Sequence, residues 1–237
     1  IGMLLCILSL FMMVPAFVDW FYGNDDWPAF VGSSFITLFV GAICFLSNRG
    51  IVTEHLELRQ AFLLTNSAWV SIALFGSLPF MFSQIDMSFT DAIFESTSGI
   101  TTTGATVINN LDSTSHGILI WRALLQWLGG VGIIVMALAV LPMLSIGGMQ
   151  LFKTESYETP DKVVPKAASF AAGISLVYIS LTTIWAVMLW VAGMPIFDSI
   201  AHAMTTLATG GYSTRSDSLA AFGSSSIEII IIFGMIV

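Results

Sequence analysis

The chain has 237 residues, 56% of them hydrophobic and 9% charged, with a formal net charge of −8 and a mean hydropathy of +0.90. Soluble domains carry about 25% charged residues, so this composition excludes a water-soluble fold and predicts lipid as the natural solvent. Its acidic balance offers no basic face for nucleic acid.

In chain order, uncharged stretches predict spans at 1–18, 28–46, 61–82, 123–146 and 167–191, with a sixth apolar run starting near Ile227. Each complete stretch is about long enough to cross a bilayer as a helix. The first run lacks a basic leader and is followed by Asp19-Trp20-Phe21-Tyr22, so it does not read as a signal peptide. The chain starts at Ile1 and its last run is too short to cross, so a fragment of a longer protein is expected. Cys6 and Cys44 lie in apolar runs without a CxxC spacing and read as helix-packing residues.

Two shorter, more polar segments, 88–99 and 197–209, lie between spans and cannot cross. A shift of 107 positions aligns them without a gap. Asp91 meets Asp198, Ser98 meets Thr205, Ile100 meets Leu207, Thr102 meets Thr209, Gly104 meets Gly211 and Thr106 meets Ser213. Upstream, Arg59 meets Lys166 before the next span in each copy. The repeating unit is therefore span, re-entrant segment, span, with both copies in the same orientation. This divides the chain into two leading helices at 1–57, a first unit at 58–150, and a second at 151–237 that is cut short in its last span.

Irregular backbone at membrane depth is tolerated only where it is buried or lines water. Ser88-Phe-Thr-Asp91 reads as a capping box opening a short helix. Pro195 opens the second, with Asp198 in its first turn. Asp91 and Asp198 are expected to cap these helices, because carboxylates suit helix N-termini. The negative C-terminal ends then face Thr101-Thr-Thr-Gly-Ala-Thr106 and Ala208-Thr-Gly-Gly-Tyr-Ser-Thr214. Glycine lets successive carbonyls turn the same way, and carbonyl rings replace the hydration shell of an alkali cation. Thr102, Thr103, Gly104, Thr209, Gly210 and Gly211 are thus the expected cation-lining residues. Neither strip contains a charged side chain, which argues against a carboxylate-ring filter.

Five of the seven basic residues fall in the loops 47–60 and 147–166, which places those loops and the N-terminus in the cytoplasm. Ten acids then lie outside, namely Asp19, Asp25, Asp26, Asp86, Asp91, Glu95, Asp112, Asp198, Asp217 and Glu228. They form either a cation-concentrating vestibule or a by-product of basic residues being kept inside. His202 aligns with Glu95, and both are expected to cap or brace their pore helices. Gly129-Gly-Val-Gly132 follows no strand and precedes no GK[ST], so it reads as helix packing rather than a phosphate loop. No nucleophile–base pair or metal cluster is evident, and an enzyme is not expected.

Ser98-Gly-Ile-Thr-Thr-Thr-Gly-Ala-Thr106 and Trp127-Leu-Gly-Gly-Val-Gly-Ile133, with Thr209-Gly-Gly-Tyr-Ser-Thr214, resemble the Trk/Ktr potassium uptake family over essentially the whole chain. The two leading helices favour its TrkH/TrkG-type membrane subunits. The resemblance implies an all-α polytopic inner-membrane protein with tandem helix–pore-helix–helix units of potassium-channel type. Potassium would be the substrate and no organic cofactor is implied. It also implies four units around one pore, so this chain would supply about half, with Gly104 and Gly211 as key filter glycines. A homodimer and a cytoplasmic nucleotide-binding partner of the TrkA type are further implications. Two other classes remain open: an ion-coupled carrier, although carriers often use inverted repeats, and a membrane receptor or assembly subunit without transport.

Overall fold

The computed structural model describes residues 1–47, 58–144 and 163–236. Arg49, Lys153 and Lys162, on which the expected sidedness leans, and the divisions at 57 and 150 lie outside the described residues.

Among the described residues every element is helical. The order is α1 (Gly2–Tyr22), α2 (Trp27–Ser47), α3 (Leu58–Gly76), α4 (Leu78–Phe82), α5 (Phe89–Ile100), α6 (His116–Leu144), α7 (Val163–Val191), α8 (Ile196–Leu207) and α9 (Ser225–Ile236). Short 3-10 turns occupy Leu111–Ser113 and Ser218–Phe222. Five segments are long and apolar enough to cross a membrane: Gly2–Tyr22, Trp27–Ser47, Phe62–Phe82, His116–Ile134 and Gly173–Val191. The two polar segments become α5 and α8, each too short to cross.

α1 and α2 form a hairpin in which Ser34 Oγ donates to the Ser9 carbonyl at 2.7 Å. Their outer faces carry Phe17, Phe21, Phe35 and Phe39, all exposed and placed for lipid contact. Cys6 and Cys44 are half-buried and form no disulfide with each other. The third span is broken between α3 and α4 at Ser77, just before Pro79, which has no N–H to continue the ladder. The Gly76 carbonyl there accepts from Trp121 Nε1 at 3.0 Å.

α6 is the central column. Its crossing segment is 61% buried, against 17–39% for the others. Lipid tails are as apolar as leucine, so close packing and interhelical hydrogen bonds hold such a bundle. Trp121, Leu124 and Leu125 accordingly interlock with Phe30 and Phe80. Leu189, Met194, Ile227 and Ile231 tie α7 and α9 into a second cluster, where Trp185 Nε1 donates to the Ile230 carbonyl at 3.0 Å.

The fourth span differs from expectation. It begins at His116, seven residues before the uncharged stretch at 123, and takes Arg122 into the helix with 1% exposure. A buried carboxylate compensates that charge, as described next.

Candidate functional site

α5 and α8 are the same element twice. Each has 12 residues, and their bounds differ by the 107-position shift. Ser88 caps α5: its Oγ accepts the Asp91 N–H at 3.2 Å and donates to Asp91 Oδ2 at 2.6 Å. Asp198 departs from its expected role. α8 starts after Pro195 without a side-chain cap. The buried Asp198 carboxylate turns instead to Thr214 Oγ1 at 2.6 Å and Arg215 Nη2 at 3.0 Å. A charge-assisted bond to a guanidinium outcompetes an amide in the first turn.

The strips that follow have matched backbones. Thr102 and Gly104 have φ of 56° and 79°, and their equivalents Thr209 and Gly211 have 52° and 75°. Threonine in the left-handed region is an outlier that persists only where its surroundings hold it. In strip one the amides of Thr102, Thr103 and Gly104 donate back to the carbonyls of Gly99, Ser98 and Ser98 at 3.0, 3.0 and 3.5 Å. In strip two Thr209, Gly210 and Gly211 donate to Thr206, Thr205 and Thr205 at 2.9, 2.9 and 3.4 Å. The amides of both strips thus turn back to the ends of their helices. Among the described residues, no hydrogen-bond donor reaches the carbonyls of Thr102, Thr103, Gly104, Thr209, Gly210 or Gly211. A row of carbonyls at the negative end of a helix suits a cation.

The exits of the strips are braced in parallel. Glu95, fully buried, accepts from Thr106 Oγ1 at 2.9 Å and from the Val107 amide at 3.0 Å. His202, its equivalent, bonds Ser213 Oγ through Nε2 at 3.1 Å. Each hydroxyl also accepts an amide two residues on, from Ile108 at 3.2 Å and Arg215 at 3.1 Å. The brace expected of Glu95 and His202 is therefore present, built from different chemistry at one repeat position.

The α6 glycines seat that helix between the pore-helix ends. A Cβ on Gly129 would strike the Ile100 carbonyl, and one on Gly130 would stand 3.2 Å from Ala208. The reading of this run as close helix packing fits that geometry.

Arg122 is the residue that sequence reasoning misplaced. Its Nε donates to Glu95 Oε1 at 2.7 Å and its Nη1 to the Ser213 carbonyl at 3.0 Å. Its guanidinium lies 4.0 Å from the centroid of the Tyr212 ring. Gln126, one turn on, was not anticipated either; its Oε1 accepts the Tyr212 amide at 3.1 Å. The Tyr212 hydroxyl reaches across to the carbonyls of Glu95 and Ala105 at 3.0 and 3.1 Å.

The outer acids do not act as one set. Asp19, Asp26, Glu95 and Asp198 are buried. Asp19 accepts the Gly117 amide at 2.5 Å, and Asp26 accepts the Gln84 amide at 2.9 Å. Exposed Asp112 faces Arg215 at 3.7 Å and accepts the Ser216 amide at 3.3 Å, tying the two outer loops. Those bonds, the Ser216 hydroxyl first among them, hold the Asp112 carboxyl below its ordinary pKa. Asp91 is half-buried on Ser88, which leaves the exposed acids Asp25, Asp86, Asp112, Asp217 and Glu228 to shape a vestibule field.

Two short helices, each followed by a matched Thr/Gly strip, thus sit among the long apolar helices of a multi-pass membrane protein. The family model described as "TrkH: Cation transport protein" matches residues 28–237. The chain is 42% identical to the Trk system potassium uptake protein TrkH of Salmonella typhimurium over 98% of its own length and 48% of that protein's. It is 35% identical to the Trk system potassium uptake protein TrkG of Escherichia coli, over 97% and 48%. The crystal structure of the potassium transporter TrkH from Vibrio parahaemolyticus superposes with a TM-score of 0.87 at 40% identity, covering 98% of this chain and 47% of that one. The chain belongs to the TrkH cation transport family and is a multi-pass, all-helical membrane protein. It spans about half the length of the curated relatives it matches.

Proposed function

We propose that this chain supplies two of the units around a potassium-selective pore and that its complete protein takes up K⁺ across the bacterial inner membrane. One observation carries the reading. Two strips 107 residues apart adopt one strained backbone, and among the described residues no donor reaches the carbonyls of Thr102, Thr103, Gly104, Thr209, Gly210 or Gly211. Thr102, Thr103, Gly104, Thr209, Gly210 and Gly211 are the cation-lining residues of this proposal. The other filter strands come from beyond these residues or from a second polypeptide, because a cation at membrane depth needs ligands on all sides. The relatives' names as potassium uptake proteins support K⁺ as the substrate.

The same reading places the N-terminus in the cytoplasm, divides the chain at 57 and 150, and has the pore gated from the cytoplasmic side. The complete protein assembles as a homodimer with a cytoplasmic nucleotide-binding subunit of the TrkA type. The test is rubidium uptake by a potassium-uptake-deficient bacterium carrying the complete coding region. Saturable rubidium entry that K⁺ suppresses better than Na⁺ supports the proposal. Growth on limiting K⁺ no better than the empty host refutes it.

A further inference from the structure

We propose that Gln126 and Tyr212 form a cross-repeat clamp that sets which alkali cation the strips select; the inference rests on the potassium reading above. Arg122, Gln126 and the pair Gly129–Gly130 recur at helical spacing, so α6 turns one face toward both strips. α6 belongs to the first unit, yet its polar groups hold the second strip. The Gln126 side chain is fully buried and its Oε1 takes the amide of Tyr212, the residue just after Gly211. Arg122 holds the next carbonyl, that of Ser213, and covers the Tyr212 ring.

The strips also meet each other at this point. A Cβ on Gly104 would collide with the Gly210 carbonyl oxygen, and one on Gly210 would overlap the Gln126 amide. The Gln126 amide thus lies directly against strip two, where it touches strip one backbone to backbone. Its Nε2 is buried and has no hydrogen-bond partner among the described residues. A buried unpaired donor is costly, and native structures keep few of them. A leucine or methionine would fill the same space without that penalty, which points to a positional rather than a packing role.

Among the described residues, strip one has no such hydrogen bond from α6. Its position equivalent to Tyr212 is Ala105, whose carbonyl is bound by Ser98 Oγ at 2.6 Å and by the Tyr212 hydroxyl at 3.1 Å. Tyr212 therefore links the strips. Its amide is fixed by Gln126, and its hydroxyl fixes the end of strip one. Carbonyl filters discriminate ions by cavity size or by the number and field of the carbonyls. Both depend on how firmly each strip is held, and this clamp holds the two together.

The test uses the complete protein in the uptake-deficient host and reads rubidium entry against rising Na⁺, normalised to protein in the membrane. Gln126→Met keeps the length and removes the acceptor. The Na⁺ concentration that halves rubidium entry should drop about fivefold, the factor that one net hydrogen bond is worth. Tyr212→Phe keeps the ring and the amide bond but cuts the tie to strip one. It should shift the ratio the same way, and it decides the matter if Gln126→Met does not reach the membrane. An unchanged ratio in the variants that reach the membrane overturns the clamp, even if total uptake falls. Absence of rubidium entry with the unaltered protein would instead sink the potassium reading, before any variant is compared.

Discussion

Gly104 and Gly211 occupy equivalent repeat positions, yet the structure predicts unequal consequences for the same substitution. Both have φ in the left-handed region, where a residue with a Cβ costs about 1–2 kcal/mol. Gly104→Ala adds a collision with the Gly210 carbonyl oxygen. That oxygen is backbone of strip two, so relieving the collision has to shift one strip against the other. Overpacking of this kind costs about 1–3 kcal/mol more. A Cβ on Gly211 meets nothing within 4 Å, so Gly211→Ala carries only the backbone term. The gap of about 1–3 kcal/mol corresponds to roughly fivefold or more in the fraction of intact filters. Rubidium entry under Na⁺ competition should therefore lose discrimination at least about fivefold more in Gly104→Ala than in Gly211→Ala. Equal losses, or a worse Gly211→Ala, would refute the reasoning from strip contact.

Removing Glu95 strands the buried Arg122 charge, so Glu95→Ala should destabilise by about 3–5 kcal/mol and sharply lower the melting temperature of the detergent-purified protein. The double variant Glu95→Leu with Arg122→Met should recover most of that stability, because apolar replacement of a buried pair is often neutral, but not the cation discrimination. The Asp112 carboxyl titrates below its unfolded value of 3.8. Its contribution is present above that pH and lost as pH falls through the folded value. The melting-temperature gap between the unaltered protein and Asp112→Asn should thus be constant near neutrality and close below pH 3.8. Residues 1–237 expressed alone should insert without supporting growth on limiting K⁺, and co-expression with the remaining C-terminal part should restore it; growth from these residues alone would overturn the four-unit reading.

The re-entrant helices and strips were legible because their signals are local. Ser88 with Asp91, and each Thr/Gly strip, lie within short windows, and a comparison of two such windows 107 residues apart gives helices whose bounds differ by that shift. Arg122 was misplaced for the opposite reason. Uncharged runs locate spans on the premise that charges stay out of lipid, and the exception is a partner 27 residues away in sequence, Glu95. Asp198 was misread by the same kind of locality. The first-turn rule sees a helix start, whereas Thr214 and Arg215 come back only through the fold of the strip. The adjacency of a basic residue to the second strip was a usable signal. Gln126 gave none, because a single glutamine in an apolar helix reads as ordinary interhelical glue.

The central claim is that the carbonyls of the two strips hold the transported ion. Anomalous diffraction from crystals of the complete protein grown in rubidium tests it directly. The account predicts rubidium peaks within coordination distance of the backbone oxygens of Thr102, Thr103 and Gly104 on one side and Thr209, Gly210 and Gly211 on the other. Rubidium bound only at the exposed outer acids, with none at the strips, would contradict it.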